Sequence, residues 1–584
     1  MPLIEALNGV RPATSGYVRI NNLDLYRNLD SLKQSIGYVP QEDIIHQELS
    51  VFRTLYYVAK LRLPSDVSRK EIVSIIEEVL DVTGLSERRN VAVSDLSGGQ
   101  RKRVSMAVEL ITKPSVIFLD EPTSGLDPAT EDKIMKLFRQ IAESGRTVIM
   151  TTHAMENVGL FDKIVVLMRG KLVFFGTPND ALKHLGASSF KQLYDRLETP
   201  VSDGRVKTNS VSSEVIAEEW KQRYLKTSQY SELIKKPLSE IRSFSSSGRR
   251  SRSRLGLFGS VRQFFDLSRR YFEVLLRDKL NLAILFLQAP IIALMTFLVI
   301  GAKSPRDFVY FVLSLVSIWF GTSVSAREII RERPVYRRER MFNLGIIPYL
   351  ASKFFVLGVI VFIQCLMFFV PLKFFDLIGA MLMPGELLGI PQFWTMLLTA
   401  SVGMALGLLI SALFKTQEIA TSLVPLILIP QILFSGLVGV PQGINKVIGL
   451  TMPSAWSFDT MKRFSTLETL EPEGAMPGDS TKGLGLYKFI EKENDETLKK
   501  AERDLADYKQ MSGGASPVDE QGNPTPLAER LKVPEIKRIP DDLSGYVTFM
   551  HPWMNEVLNQ LVLMLMFWIL VFFTLIVLKL RDAR

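Results

Sequence analysis

At 584 residues the chain has room for several domains. It is 47% hydrophobic with a positive mean hydropathy of +0.16, high for a soluble enzyme, and its single cysteine excludes a disulfide framework. Seventy Lys and Arg against 61 Asp and Glu leave a net charge of +9, but the excess sits beside apolar runs and not on one basic face with interleaved aromatics, which excludes a nucleic-acid partner.

The apolar excess is not uniform. Residues 1 to about 200 alternate charged helical stretches with short apolar strands, as an α/β domain does, and long uncharged runs begin at about 280. The reading is a domain over 1–200, a Ser/Arg-rich linker over 201–256 and a membrane domain over 257–584. The first motif, Gly37-Tyr38-Val39-Pro40-Gln41, carries Gln41, which can bind a metal or a water from the far side of a site. In Leu96-Ser97-Gly98-Gly99-Gln100 a turn opens the helix from Arg101 to Leu110, so backbone N–H groups and a hydroxyl face an anion at a positive helix end. Glycine there lets the main chain approach a phosphate. The apolar run Val116-Ile117-Phe118-Leu119 then ends in Asp120 and Glu121. Asp120 suits Mg2+ held through its water shell, and Glu121 suits proton acceptance from a water attacking the γ-phosphate of ATP. Ser124-Gly125-Leu126-Asp127 follows, and a second apolar run, Thr147 to Thr152, leads to His153, in reach of that phosphate. Taken singly these are a turn, a solvated acid pair and an ordinary histidine. Their joint order carries the reading.

In that order the motifs resemble an ATP-binding cassette transporter of the G (White-type) subfamily, in which the ATPase precedes the membrane domain, as here. Gln41 matches the family's Q-loop, Ser97, Gly98, Gly99 and Gln100 its signature motif, Asp120 and Glu121 the Walker B pair, Asp127 the D-loop and His153 the switch histidine. The resemblance implies an α/β P-loop NTPase-type cassette, N-terminally incomplete, followed by an all-α six-span membrane domain of the ABC-2 type. It implies ATP and Mg2+ as cofactors, with Glu121, His153 and Gln41 catalytic, Asp120 and Gln41 at the metal, and Ser97 to Gln100 with Asp127 at the nucleotide. It also implies a dimer in which each complete site takes its phosphate loop from one chain and Ser97 to Gln100 from the other. One departure stands out: no G-x-x-x-x-G-K-S/T occurs in the sequence, although its backbone N–H groups and lysine cradle the phosphates. Met1 to Gly9 resembles the end of the helix that follows that loop, and the first strand and the adenine-stacking aromatic are missing with it. The expectation is a truncated product over a partner subunit that has lost its site, because a degenerate site keeps the fold's first strand. This chain alone is then expected to be inactive as an ATPase.

Six runs have the length a bilayer core demands, at about 280–301, 308–326, 351–371, 393–413, 418–439 and 556–578. Arg327, Arg331, Arg333, Arg337, Arg338 and Arg340 follow the second run, whereas the connection from third to fourth offers only Lys373, so the arginine side and the ATPase are expected to be cytoplasmic. Interleaved with Glu328, Glu332 and Glu339, the cluster also suits ion pairs with the ATPase. The run Ser245 to Arg254 reads as a solvated linker or a polybasic segment touching anionic lipid, and Phe258 to Asp278 as an amphipathic helix on the inner interface. Residues 440–555 form one outer connection with a charged helix near Tyr487 to Gln510; lacking cysteine and any N-x-S/T acceptor in which x is not Pro, it points to a bacterial inner membrane. Gln288, Gln364 and Gln431, near Pro290, Pro425 and Pro430, read as glue between helices more than as a substrate path. No ionised group lies at the middle of a run, which argues against ion or proton pumping. In the family the cavity would offer Trp319, Phe320 and Phe434, walls that suit a lipid-like or amphipathic cargo. The function expected is an ATP-driven half-transporter exporting such a molecule, with a second half-transporter chain, of the same or another sequence, and membrane lipids as partners. The alternatives are a non-catalytic partner lending only its signature motif and an ATP-driven regulator of a membrane complex.

Overall fold

The computed structural model describes residues 2–21, 23–64, 66–153, 155–197, 213–241, 256–300, 306–342, 344–381, 383, 385–437, 443–466, 484–511, 536 and 554–582. The polybasic run at 245–254 and most of 467–553 lie outside them. The chain forms two compact units, Met1–Arg277 with Pro334–Tyr349, and Asp278–Arg333 with Leu350–Arg584.

In the first unit, short apolar runs pair as a parallel sheet in the order β3 (Ile36–Val39), β4 (Val116–Asp120), β5 (Thr147–Thr151), after a two-stranded β1 (Arg19–Ile20) and β2 (Leu23–Asp24). The register sets Val39 beside Leu119 and Asp120 beside Thr151. β4, covered on both faces, carries no alternation, as central parallel strands do. On one face its Ile117 and Leu119 pack with Leu55 of α2 (Val51–Arg62), Ile72 and Ile76 of α3 (Arg69–Val82), Val104 and Val108 of α4 (Gly98–Leu110) and Phe138 of α5 (Pro128–Glu143). On the other face Phe118 meets Ile4 of α1 (Pro2–Leu7), Leu25 and Leu32. Helix starts are capped as their sequences direct: Ser68 and Glu71 form a capping box at α3. The hairpin β6 (Ile164–Met168) and β7 (Lys171–Gly176) packs with α6 (Pro178–Leu185), α7 (Phe190–Leu197) and α8 (Ser213–Leu225) around Phe174 and Trp220. Two edges stay open. Among the described residues β5 pairs only with β4 and leaves Ile149 37% exposed, and β6 turns Val165 and Leu167 outward at 54% and 46%. The helix expected before the first span is α9 (Leu257–Arg277); it buries Leu267, Arg270 and Tyr271 and exposes Phe258, Val261, Phe265 and Phe272.

The second unit is helical: α10 (Lys279–Ile300), α11 (Arg306–Ser325), the first part of α12 (Glu328–Arg340), α13 (Ile346–Leu377), α14 (Ile390–Leu413), α15 (Gln417–Leu433), α16 (Pro453–Thr466), α17 (Leu484–Met511) and α18 (Glu556–Asp582). Among the described residues, five helices are long and apolar enough to cross a membrane. The expected fifth run, 418–439, is instead a 17-residue helix, α15, with Pro425 and Pro430 inside it. At 1.5 Å per residue that is about 25 Å, short of a bilayer core of about 30 Å. Two of the three amides act as glue: Gln364 Nε2 donates to Leu285 O at 2.7 Å, and Gln431 Oε1 accepts Ser454 N at 3.1 Å, whereas Gln288 Nε2 is buried without a hydrogen-bond partner among the described residues. Phe320 is fully buried, packed edge-on to Phe368 at 5.9 Å, so within this chain it belongs to the packing and lines no opening.

α11 and α14 approach backbone to backbone. A Cβ on Gly321 would lie 2.1 Å from Ala400 O, and one on Gly403 2.7 Å from Ile318 O. Gly403→Val should therefore force the pair apart and lower the unfolding midpoint of the purified protein, overpacking costing about 1–3 kcal/mol. Gly358→Val, whose Cβ meets nothing within 4 Å, should leave it unchanged; equal midpoints for both variants would refute this packing.

Candidate functional site

The C-terminal ends of parallel strands are where open α/β sheets place their ligands, and β3, β4 and β5 deliver Gln41, Asp120 with Glu121, and His153 there in turn. Gln41 Nε2 donates to Glu121 Oε2 at 3.2 Å, and His153 Nδ1 lies 3.5 Å from the same oxygen. Asp120 is buried beside them at 5% exposure. Three segments far apart in sequence thus meet on one carboxylate.

Two residues not singled out in the sequence hold the group in place. Glu121 has φ of +46°, a left-handed backbone that costs a non-glycine residue about 1–3 kcal/mol. Thr151 secures it: Glu121 N donates to Thr151 Oγ1 at 3.0 Å, and that hydroxyl donates to Asp120 Oδ1 at 2.7 Å. The only sequence sign is a hydroxyl where the apolar run of β5 ends. Lys102, buried on α4, donates to Gln41 O at 2.7 Å and to Pro40 O at 3.2 Å, anchoring the main chain behind Gln41. Burial pushes its pKa down, with Asp43 and Asp120 opposing. Tyr38 on β3 is pushed up to about 12 by burial, then by Asp120 and Glu5.

The 96–100 motif lies elsewhere. Ser97 and Gln100 form a capping box at α4, Gln100 N donating to Ser97 Oγ at 3.3 Å and Ser97 N to Gln100 Oε1 at 3.0 Å, so the Gln100 side chain is already engaged. Ser97 and Gly98 are exposed, and a Cβ on Gly99 would come 2.7 Å from Thr130 Cγ2, which seats the motif against α5. Asp127 caps α5, accepting from Thr130 N at 2.9 Å, and hydrogen bonds with Thr130 hold its carboxyl below the usual range. The motif is thus presented outward beside α5 and does not join the group around Glu121.

No group of three or more His, Cys, Asp or Glu among the described residues could by itself hold a metal. Asp120, with Gln41 alongside, fits an ion that takes one or two protein ligands and completes its shell with waters and phosphate oxygens, as Mg2+ does with nucleotides.

The arginine cluster divides between the units at Pro334 within α12. In the second unit, Lys353 Nζ lies 2.5 Å from Glu332, Arg331 3.2 Å from Asp278, and Ser411 Oγ accepts Ile329 N at 2.9 Å. In the first, Glu109 of α4 is 1% exposed between Arg62 at 2.8 Å and Arg338 at 3.2 Å, and accepts Tyr38 N at 3.3 Å. Arg270 pairs with Glu339, and Arg338 Nη1 donates to Ile44 O at 2.6 Å. Arg331, Glu332, Arg338 and Glu339 of the cluster therefore form ion pairs, the last two with cassette and α9 residues.

A parallel sheet with such a group at its carboxyl edge, in a chain that continues into long apolar helices, defines a nucleotide-binding domain joined to a multi-pass membrane domain. The ABC transporter family matches residues 2–124, and the ABC-2 type transporter family residues 262–462. The chain belongs to the ABC transporters, with the nucleotide-binding domain first and an ABC-2 type membrane domain after it. It is 28% identical to the ABC transporter ATP-binding/permease protein Rv1747 of Mycobacterium tuberculosis over 82% of this chain and 54% of that one. It is 40% identical to ABC transporter G family member 13 of Arabidopsis thaliana over 32% of this chain and 29% of that one. Among solved structures, cbiO1 from Clostridium perfringens, part of the ABC transporter complex cbiONQ, is 30% identical over 31% of this chain and 74% of that one, with a TM-score of 0.29. The chain thus spans about half of the first relative and less than a third of the second.

Proposed function

We propose that the chain is a half-transporter that works as a dimer, uses ATP with Mg2+, and moves a lipid-like or amphipathic molecule outward. The convergence of Gln41, Asp120, Glu121 and His153 at one sheet edge carries this reading. ATP, when bound, supplies the free energy of its terminal phosphoanhydride. Asp120 and Gln41 would hold the metal, Glu121 would take the proton of the attacking water, and His153, 67% exposed, would face the phosphate. Exposed Ser97 and Gly98 suit a nucleotide held by the partner chain.

The phosphate-cradling loop is the part these residues do not supply. We place its strand at the open edge of β5, because a strand added there in parallel ends beside Asp120 and His153 and covers Ile149. The 584-residue chain alone should then show no meaningful ATP turnover. A version carrying an upstream strand and G-x-x-x-x-G-K-S/T joined to Pro2 should gain it. Turnover only when the chain is mixed with a loop-bearing half-transporter would favour the second reading, a non-catalytic partner. ATP turnover unaffected by any cargo in vesicles would favour an ATP-driven regulator.

The arginine bias supports a cytoplasmic ATPase and an outer segment at about 440–555, and the lack of cysteine and of glycosylation acceptors in that segment suits a bacterial inner membrane. In a Cys365→Ala background, an impermeant thiol reagent on intact cells should label Lys500→Cys, on exposed α17, and spare Lys415→Cys, after α14. The reverse pattern would refute this topology.

A further inference from the structure

Helices α2, α9 and α12 and the segment Ile44 to Leu49 enclose an open-mouthed cavity in the first unit, separate from the group around Glu121. Its empty space, with the open solvent at the mouth included, is about 360 Å3. Its narrow interior has room for about one small polar group. The wall is mostly apolar, with Ile44, Leu49, Val58 and Val335, and Arg62, Arg270 and Arg338 bring three buried guanidiniums to it against the carboxylate of Glu339. Glu109 lies behind, between Arg62 and Arg338.

Thr54 singles the cavity out. Its side chain lines the wall at 4% exposure, and its hydroxyl has no hydrogen-bond partner. A buried helical threonine ordinarily bonds the preceding turn, as Thr83 Oγ1 does with Val79 O at 2.7 Å. A buried donor left unmet is costly unless something meets it.

We propose that this cavity is a regulatory site for a small monocarboxylate. The carboxylate accepts the Thr54 hydroxyl proton within the field of Arg62 and Arg338, and a short apolar body lies against Ile44, Leu49 and Val335. Arg338 also holds Ile44 O, and Ile44 stands three residues beyond Gln41, so an occupant bears on the loop that carries Gln41. Binding rests on the geometry alone; only this regulatory consequence rests on the ATPase reading.

The test uses the full chain in detergent, with butyrate as probe, 1-butanol as its uncharged counterpart and ionic strength held with sodium chloride. Butyrate should raise the unfolding midpoint saturably by about 2–4 °C, and 1-butanol should not. It should also slow hydrogen exchange over Ile44 to Leu49. Thr54→Val removes a hydroxyl that has no partner, so it should retain the ligand-free midpoint while weakening the response to butyrate about tenfold. Thr54→Ser should restore that response. No saturable shift would overturn the site. An equal shift with 1-butanol would overturn its preference for an anion, and an undiminished shift in Thr54→Val, or exchange slowed only elsewhere, would overturn its location.

Discussion

Glu121→Gln should abolish nearly all ATP turnover while leaving nucleotide binding in place, in a preparation where the phosphate loop is present. Glutamine keeps the shape of the side chain and can still meet Gln41, which donates to Glu121 Oε2 at 3.2 Å, but it cannot accept the proton of the attacking water. Loss of a general base ordinarily costs about 10²–10⁴-fold in rate. The loss should appear in kcat with KM little changed, since the contact matters most in the transition state. The left-handed backbone at Glu121 makes the position sensitive in a second way. Thr151 donates to Asp120 and accepts from Glu121 N, so Thr151→Val should also lower kcat, by less, because it loosens both carboxylates without removing either. Turnover of Glu121→Gln within about threefold of the parent would remove Glu121 from the role of base.

Much of this was legible in the sequence because it rests on short-range pattern. The apolar runs at 36–39, 116–120 and 147–151 are parallel strands, and the glutamine, the acids and the histidine that follow them meet because parallel strands end on one edge. Ser97 was legible as a helix start. The supports were not. Lys102 reads as one of three basic residues on a polar helix, and only the fold turns it inward to the carbonyl of Gln41. Likewise Thr151 reads as an ordinary strand residue. In the membrane domain the apolar runs announced the long helices, but α15 is shorter than its run because the helix ends at Leu433, three residues after Pro430. Charge within the helical unit was missed altogether. Asp459, on α16 in what reads as the outer connection, is 1% exposed, with Arg463 at 2.7 Å and Asn559 of α18 at 3.0 Å. Hydropathy along the chain cannot show that a polar segment folds back among apolar helices.

Glu109→Ala should be the most damaging single change in the first unit outside the nucleotide-facing group. Burial works against the carboxylate, but Arg62 and Arg338 together outweigh it and hold its pKa below the ordinary range. Removing it leaves two buried guanidiniums without their shared partner, a loss of about 3–5 kcal/mol, and frees Tyr38 N on the strand leading to Gln41. The unfolding midpoint should fall accordingly, with aggregation at growth temperature. The sign with pH follows from the depressed pKa. The stabilisation is fully present above the ordinary glutamate value of about 4.3 and is lost as pH falls through the lower folded-state value. The parent should therefore lose stability in that acid window, and Glu109→Gln, which cannot titrate, should lose less across it. Pairing Glu109→Leu with Arg338→Met removes charge on both sides and should recover part of the loss, since uncompensated charge and not missing volume is the main cost. If the double variant were no more stable than Glu109→Leu alone, the ion pair with Arg338 would not be what holds this part of α12 against the cassette.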